Sequence, residues 1–215
     1  MPKKVLILSG GWPGHEPEKT SEIFRHDLTE AGLDVTIAAT LDALLTPSLA
    51  RTYDLIVPNW TMAELTAAQE AALLAAVQGG VGLGGIHGGM GDAFRPNANY
   101  QFMVGGHFVA HPDDHHDYLV HFTQPDDPIV DGLGDFTFHS EQYYMHVDPG
   151  NDVLATTTFE TRTAPWTNGT VMPVVWKRRH GAGKVFYSSL GHNAKQVEVP
   201  QVRELTKRGM LWAVR

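Results

Sequence analysis

The 215-residue sequence holds no cysteine but twelve histidines, and its 24 acidic against 16 basic side chains give a formal net charge of -8. A chain of this length forms one domain that buries about 70% of the surface its unfolded form exposes, so it needs no covalent staple. Zero cysteine excludes a disulfide framework, a thiolate metal site and a cysteine nucleophile, and the acidic balance argues against nucleic acid or an anionic membrane as the main partner.

The amino terminus, Met1-Pro2-Lys3-Lys4 followed by the apolar run Val5 to Leu8, is too short for a signal-peptide core or a membrane span, and a cytoplasmic location is expected. Val5 to Leu8, closed by Gly10-Gly11, fits a strand buried on both faces of a parallel sheet. A helix follows over about 17–31, with Ile23, Phe24, Leu28 and Ala31 on one face and Gly32 as the stop. Val35 to Ala39 reads as a second strand, and Leu55 to Val57 before Pro58 as a third. Thr66 with Gln69 opens a helix that runs over Ala67 to Val77 and stops at Gly79-Gly80; Val81 to Ile86 is then a strand leading into His87-Gly88-Gly89. This β-α-β-β-α-β order predicts a three-layer, mostly parallel α/β domain spanning residues 1–215.

From Asp92 to Asp152 the pattern predicts mostly loops, with a short helix near Asn99 to Val104 and strands near Tyr118 to Phe122 and Phe136 to Phe138. Strands are expected again at about Val153 to Thr158, Val171 to Lys177 and Lys184 to Ser188, and a closing helix from Pro200 to about Val214.

Ligands of open parallel sheets bind beyond the carboxyl ends of the strands. Those positions deliver His15, His87 and His192, each following a predicted strand. Gly85-Ile86-His87-Gly88-Gly89 has the pattern of a sharp strand-to-helix elbow whose small neighbours push one side chain outward. There His87 serves as acid, base or metal ligand, or merely caps a helix. His107 and His111 stand at i and i+4, the spacing that puts two imidazoles on one helical face, and form the candidate pair for a divalent metal such as Zn; hydrogen bonding to a polar ligand or to each other is the alternative. Glu141 beside Tyr143 and Tyr144 is the candidate proton carrier, unless it caps a strand or pairs with Arg178 or Arg179. Trp12, Trp60, Trp166 and Trp176 offer flat faces on which sugars stack, or core packing. Gly80 to Gly85 matches GxGxxG in letters only, because it lies within a strand; with no Walker A or GxSxG present, no nucleotide cofactor or serine nucleophile is expected.

Together, Val5 to Gly11 with His15, the Gly84 to Gly89 elbow, Gly105-Gly106-His107-Phe108 with His111-Pro112, Glu141 with Tyr143-Tyr144, Pro173 to Trp176 and Lys184 to Tyr187 leading to Leu190-Gly191-His192 resemble a ThuA-like, or trehalose-utilisation, domain over nearly the whole chain. The resemblance implies a flavodoxin-like domain related to class I glutamine amidotransferases and a role in sugar catabolism. It also marks His15, His87, His107, His111, Glu141 and His192 as site residues. Where amidotransferases carry their cysteine this chain has His87, so glutamine hydrolysis is not expected. Three readings follow. The first is an enzyme performing acid/base chemistry on a disaccharide or keto-sugar, with His87, Glu141 and His192 catalytic and Trp12, His15, Tyr143 and Tyr144 contacting substrate. The second is a non-catalytic sugar-binding or regulatory protein, and the third a scaffold subunit. Self-association is compatible with all three.

Overall fold

The computed structural model describes residues 1–215. The amino-terminal half forms β1 (Lys4–Gly11), α1 (Pro17–Glu30), β2 (Asp34–Ala38), α2 (Leu49–Thr52), β3 (Leu55–Thr61), α3 (Ala67–Gln78), β4 (Gly82–Ile86), α4 (His87–Gly91) and α5 (Ala98–Val104). The middle contributes β5 (Gly106–Ala110), β6 (His115–Phe122), β7 (Phe136–Glu141) and β8 (Tyr144–Val147). The chain ends with β9 (Asp152–Thr158), β10 (Val171–His180), β11 (Gly183–Ser188), α6 (Ala194–Val197) and α7 (Pro200–Ala213).

Nine strands make one sheet in the order β2-β1-β3-β4-β11-β10-β9-β6-β7, and β5 pairs with β8 in a separate ribbon. The ladders β1–β2, β1–β3, β3–β4 and β4–β11 are parallel, whereas β11–β10, β10–β9, β9–β6 and β6–β7 are antiparallel. Following those ladders, only β10 and β6 run against the other seven strands. The carboxyl ends of β1, β3, β4, β11 and β7 therefore lie along one edge, and the site is built there.

Alternation along β1 separates the two cores. Val5 and Ile7 pack with Phe24 and Leu28 of α1 and Val202, Leu205 and Met210 of α7. Leu6 and Leu8 face the other way, toward Leu73 and Val77 of α3 and Tyr100, Met103 and Val104 of α5. This is the expected three-layer arrangement, and each fully buried leucine contributes about 1.5–3 kcal/mol. The boundaries of α1, α3 and α7 follow the local signals. Thr66 and Gln69 form the reciprocal capping box, and Pro200 occupies the first turn of α7. No helix is long and apolar enough to cross a membrane.

Three expectations are corrected. The third strand continues through Pro58 to Thr61 because its ladder with β1 runs on to Gly11↔Thr61, while its ladder with β4 ends at Ile56↔Leu83, before the proline whose missing N–H would break it. β10 extends to His180, pairing with Gly183 across a tight turn, where a longer turn was expected. The segment around His107 is strand β5 instead of a helix or loop, with Gly106 opposite Val147 and His107 opposite His146. The helical i, i+4 reading of His107 and His111 therefore does not hold.

Candidate functional site

The elbow after β4 is as sharp as its glycines require. His87 has φ 43°, a left-handed conformation that costs a non-glycine residue energy and is retained where the surroundings demand it. Tyr187 Oη donates to the His87 carbonyl at 3.1 Å, and the ring of Tyr143 stacks on the imidazole with centroids 3.9 Å apart. Gly88 leaves room for His15: a Cβ there would stand 2.3 Å from the His15 Cε1. His87 Nδ1 donates to the carbonyl of Ser189, just beyond β11, at 2.8 Å, and Nε2 is 3.1 Å from Glu141 Oε2.

His15 ends a short 3-10 turn after β1 and is held by Nδ1 against Thr61 Oγ1, at the end of β3, at 2.7 Å. Asn59 secures the same corner by donating to the Pro17 carbonyl and to the hydroxyls of Thr20 and Ser21 at the start of α1. His192 follows β11; its backbone N–H donates to Gln196 Oε1. Its Nδ1 lies 3.0 Å from Glu141 Oε2, yet off the line of a hydrogen bond, so this buried nitrogen has no partner. Glu141 ends β7. Four strand ends thus bring His15, His87, Glu141 and His192 together, with one ligand-type atom from each within 4.8 Å of the others, all four residues buried.

Burial pushes the His15 imidazole down to about 3, helped by the neighbouring His87 and His192. Burial likewise lowers His87, against the pull of Glu141. For Glu141 burial works to raise the pKa, but the facing imidazoles of His192 and His87 outweigh it and hold the carboxyl well below its usual range. The centre at neutral pH holds an ionised carboxylate beside the uncharged imidazoles of His15 and His87.

The second carboxylate oxygen, Glu141 Oε1, points to the open side, where His111 Nε2 lies 3.8 Å away on a half-exposed ring. The turn carrying His111 is clamped by Asp113, whose carboxylate accepts from the backbone N–H groups of Arg162 and Thr163 and the Thr163 hydroxyl. Those bonds, that from the Thr163 hydroxyl foremost, hold the Asp113 carboxyl down at about 2. Trp12, partly exposed, stands edge-on to His15 and His192 with centroids 4.7 and 6.0 Å away. Tyr143 is buried against His87, whereas Tyr144 turns away onto Phe159. His107 packs on His146 with centroids 5.1 Å apart and has no place in the four-residue cluster. The metal pair expected of His107 and His111 is therefore split, His111 alone reaching the site. Arg178 pairs with Asp148 and Arg179 reaches the Ala182 carbonyl, which leaves Glu141 to the histidines. Of the other tryptophans, Trp176 is fully buried, its Nε1 donating to the Val104 carbonyl, and Trp166 is exposed.

His115, which is not among the site residues read from the sequence, is a site neighbour. It opens β6 directly opposite Glu141, with its ring 4.7 Å from His192. The signal was available in the hairpin register: aligning Tyr118 with Phe138 and counting three residues outward sets His115 against Glu141.

The profile of the ThuA family, described as trehalose utilisation, matches residues 4–213. The chain belongs to the ThuA family. No curated protein matches the sequence. Among solved structures, a ThuA-like protein of Bacteroides uniformis ATCC 8492 superposes with a TM-score of 0.80 at 17% identity, covering 99% of this chain and 91% of that one. A ThuA-like protein of Parabacteroides merdae ATCC 43184 gives 0.77 at 19% identity, over 99% and 90%. A β-galactosidase of Rahnella sp. R3 contains the same fold in 32% of its chain, matching 100% of this one with a TM-score of 0.64 at 16% identity. At these identities the likeness extends to the fold.

Proposed function

We propose that this ThuA-family chain is an enzyme of sugar utilisation that moves a proton next to the carbonyl of a keto-sugar derived from a disaccharide. The observation that carries the reading is the division of Glu141: Oε2 faces His87 and His192 in the buried interior, while Oε1 faces half-exposed His111 at the opening. A carbonyl acidifies the adjacent C–H bond. Oε1 takes that proton, the C–H electron pair becomes the enediolate double bond, and the negative charge passes to the carbonyl oxygen. Moving the proton of the adjacent hydroxyl onto that oxygen and returning the abstracted proton to the former carbonyl carbon isomerises the sugar. Expelling a glycosidic oxygen, which His111 protonates, cleaves it. Trp12 provides a flat wall for the ring at the rim. No cysteine is needed for any of these steps.

The test follows the keto-disaccharide by NMR in deuterated solvent. Wild-type protein is expected to exchange the proton next to the carbonyl and to form product, with Glu141→Gln lowering the rate at least 100-fold while the thermal unfolding midpoint is retained. Saturable sugar binding with neither exchange nor product, or an unchanged rate in Glu141→Gln, would refute the enzymatic reading.

A further inference from the structure

We propose that His15, His87, Glu141 and His192 together bind one divalent transition-metal ion. A backbone carbonyl only accepts hydrogen bonds, so the 2.8 Å contact with Ser189 keeps the proton of His87 on Nδ1. In the uncharged ring Nε2 is then a lone pair, and it faces another acceptor, Glu141 Oε2, at 3.1 Å. The same oxygen is faced at 3.0 Å by His192 Nδ1, a buried nitrogen with no hydrogen-bond partner. His15, tied to Thr61 through Nδ1, keeps its other nitrogen free, and its ring centroid is 4.9 Å from that of His87 and 4.8 Å from that of His192.

A single proton on His87 would relieve the contact with Glu141 and leave His192 Nδ1 without a partner. One cation at the centre satisfies all four groups at once. A tetrahedral ion with bonds of about 2.0–2.1 Å holds its ligands about 3.3 Å apart, close to the 3.0 and 3.1 Å separations from Glu141, and the widest separations of the set, up to 4.8 Å, shorten by about 1.5 Å on binding. Three imidazoles and one carboxylate favour Zn, Co, Ni or Fe over Mg or Ca, which prefer oxygen. The supporting hydrogen bonds are of the kind that fix metal-bound imidazoles: Ser189 O on His87 and Thr61 Oγ1 on His15. Four protein ligands fill a tetrahedral shell, so an ion here would polarise a substrate oxygen only by accepting it as a fifth ligand, with Glu141 Oε1 left facing His111.

The experiment strips purified full-length protein with a chelator and titrates it with Zn²⁺ by calorimetry, and separately with Co²⁺ followed by visible absorption. Wild type is expected to bind one equivalent of Zn²⁺ and to develop cobalt ligand-field bands. Glu141→Gln and His15→Gln are expected to weaken binding at least 10-fold, and His107→Gln to leave it unchanged; circular dichroism checks that each variant is folded. Absence of stoichiometric binding by wild type overturns the proposal, as does binding that survives both site variants or is lost with His107→Gln. Metal binding without keto-sugar turnover leaves this site standing and removes the function proposed above. Turnover by a protein that binds no metal does the reverse.

Discussion

His15 shows how much of the centre depends on groups that never touch a ligand. Its ring is set by the Thr61 hydroxyl at 2.7 Å, by the absence of a side chain at Gly88 and by the edge of Trp12. Thr61→Val keeps the shape of the buried side chain and removes only the hydrogen bond. Such supporting partners are worth about 10–100-fold in metal affinity. We therefore expect Thr61→Val to weaken Zn²⁺ binding by that factor with Nε2 of His15 unchanged in chemistry, measured by competition against a chromophoric chelator. An affinity equal to wild type would mean that Thr61 serves packing alone. At this scale the sequence was informative about identity and blind to geometry. His87 and His15 stood out because each follows a strand, but the unpaired Nδ1 of His192 and the acceptor facing Nε2 of His87 depend on rotamers that no spacing encodes.

Among the elements, the β5/β8 ribbon was the hardest to read. Each strand is short, Pro112 follows closely, and the histidines at 107 and 111 mimic a helical period, so local pattern offers a loop or a helical turn while pairing with Tyr144–Val147 decides for a strand. The long strands and helices were legible because burial on two faces demands continuous apolar runs, as in β1, and because caps such as Thr66 and Gln69 act locally. The ribbon carries its own pH dependence. Burial, and then the neighbouring His146, lower the pKa of His107 below 6.5, with Asp92 opposing. The unfolded chain thus takes up this proton first. The stabilisation is complete above pH 6.5 and is lost as pH falls through the folded value. Amide exchange in β5 should accelerate between pH 7.5 and 5.5 after correction for intrinsic rates, and His146→Gln should reduce that acceleration. Equal acceleration in wild type and variant would assign it elsewhere.

Across the whole molecule, the fold gathers distant segments at one edge because seven of its nine main-sheet strands run the same way. That orientation, expected from the β-α-β order of the first half, is why His15, His87, Glu141 and His192 meet although they are far apart in the chain. The antiparallel continuation through β10, β9, β6 and β7 was not legible as topology, since strand order there depends on packing between distant segments. Yet it is what carries Glu141 to the same edge. Trp176 on β10 ties this half to the rest: it is fully buried, lies 4.6 Å from the Tyr187 ring and bonds the end of α5. Trp176→Ala should cost about 3–5 kcal/mol and lower the unfolding midpoint by about 6–20 °C in a thermal scan. A shift under about 2 °C would contradict that role. The convergence itself is tested most directly by crystals grown with Zn²⁺ and recorded on both sides of the zinc absorption edge. The account predicts one anomalous peak about 2.0–2.2 Å from a nitrogen of each of His15, His87 and His192 and from an oxygen of Glu141. A peak between His107 and His146, or none at the four residues, would contradict it.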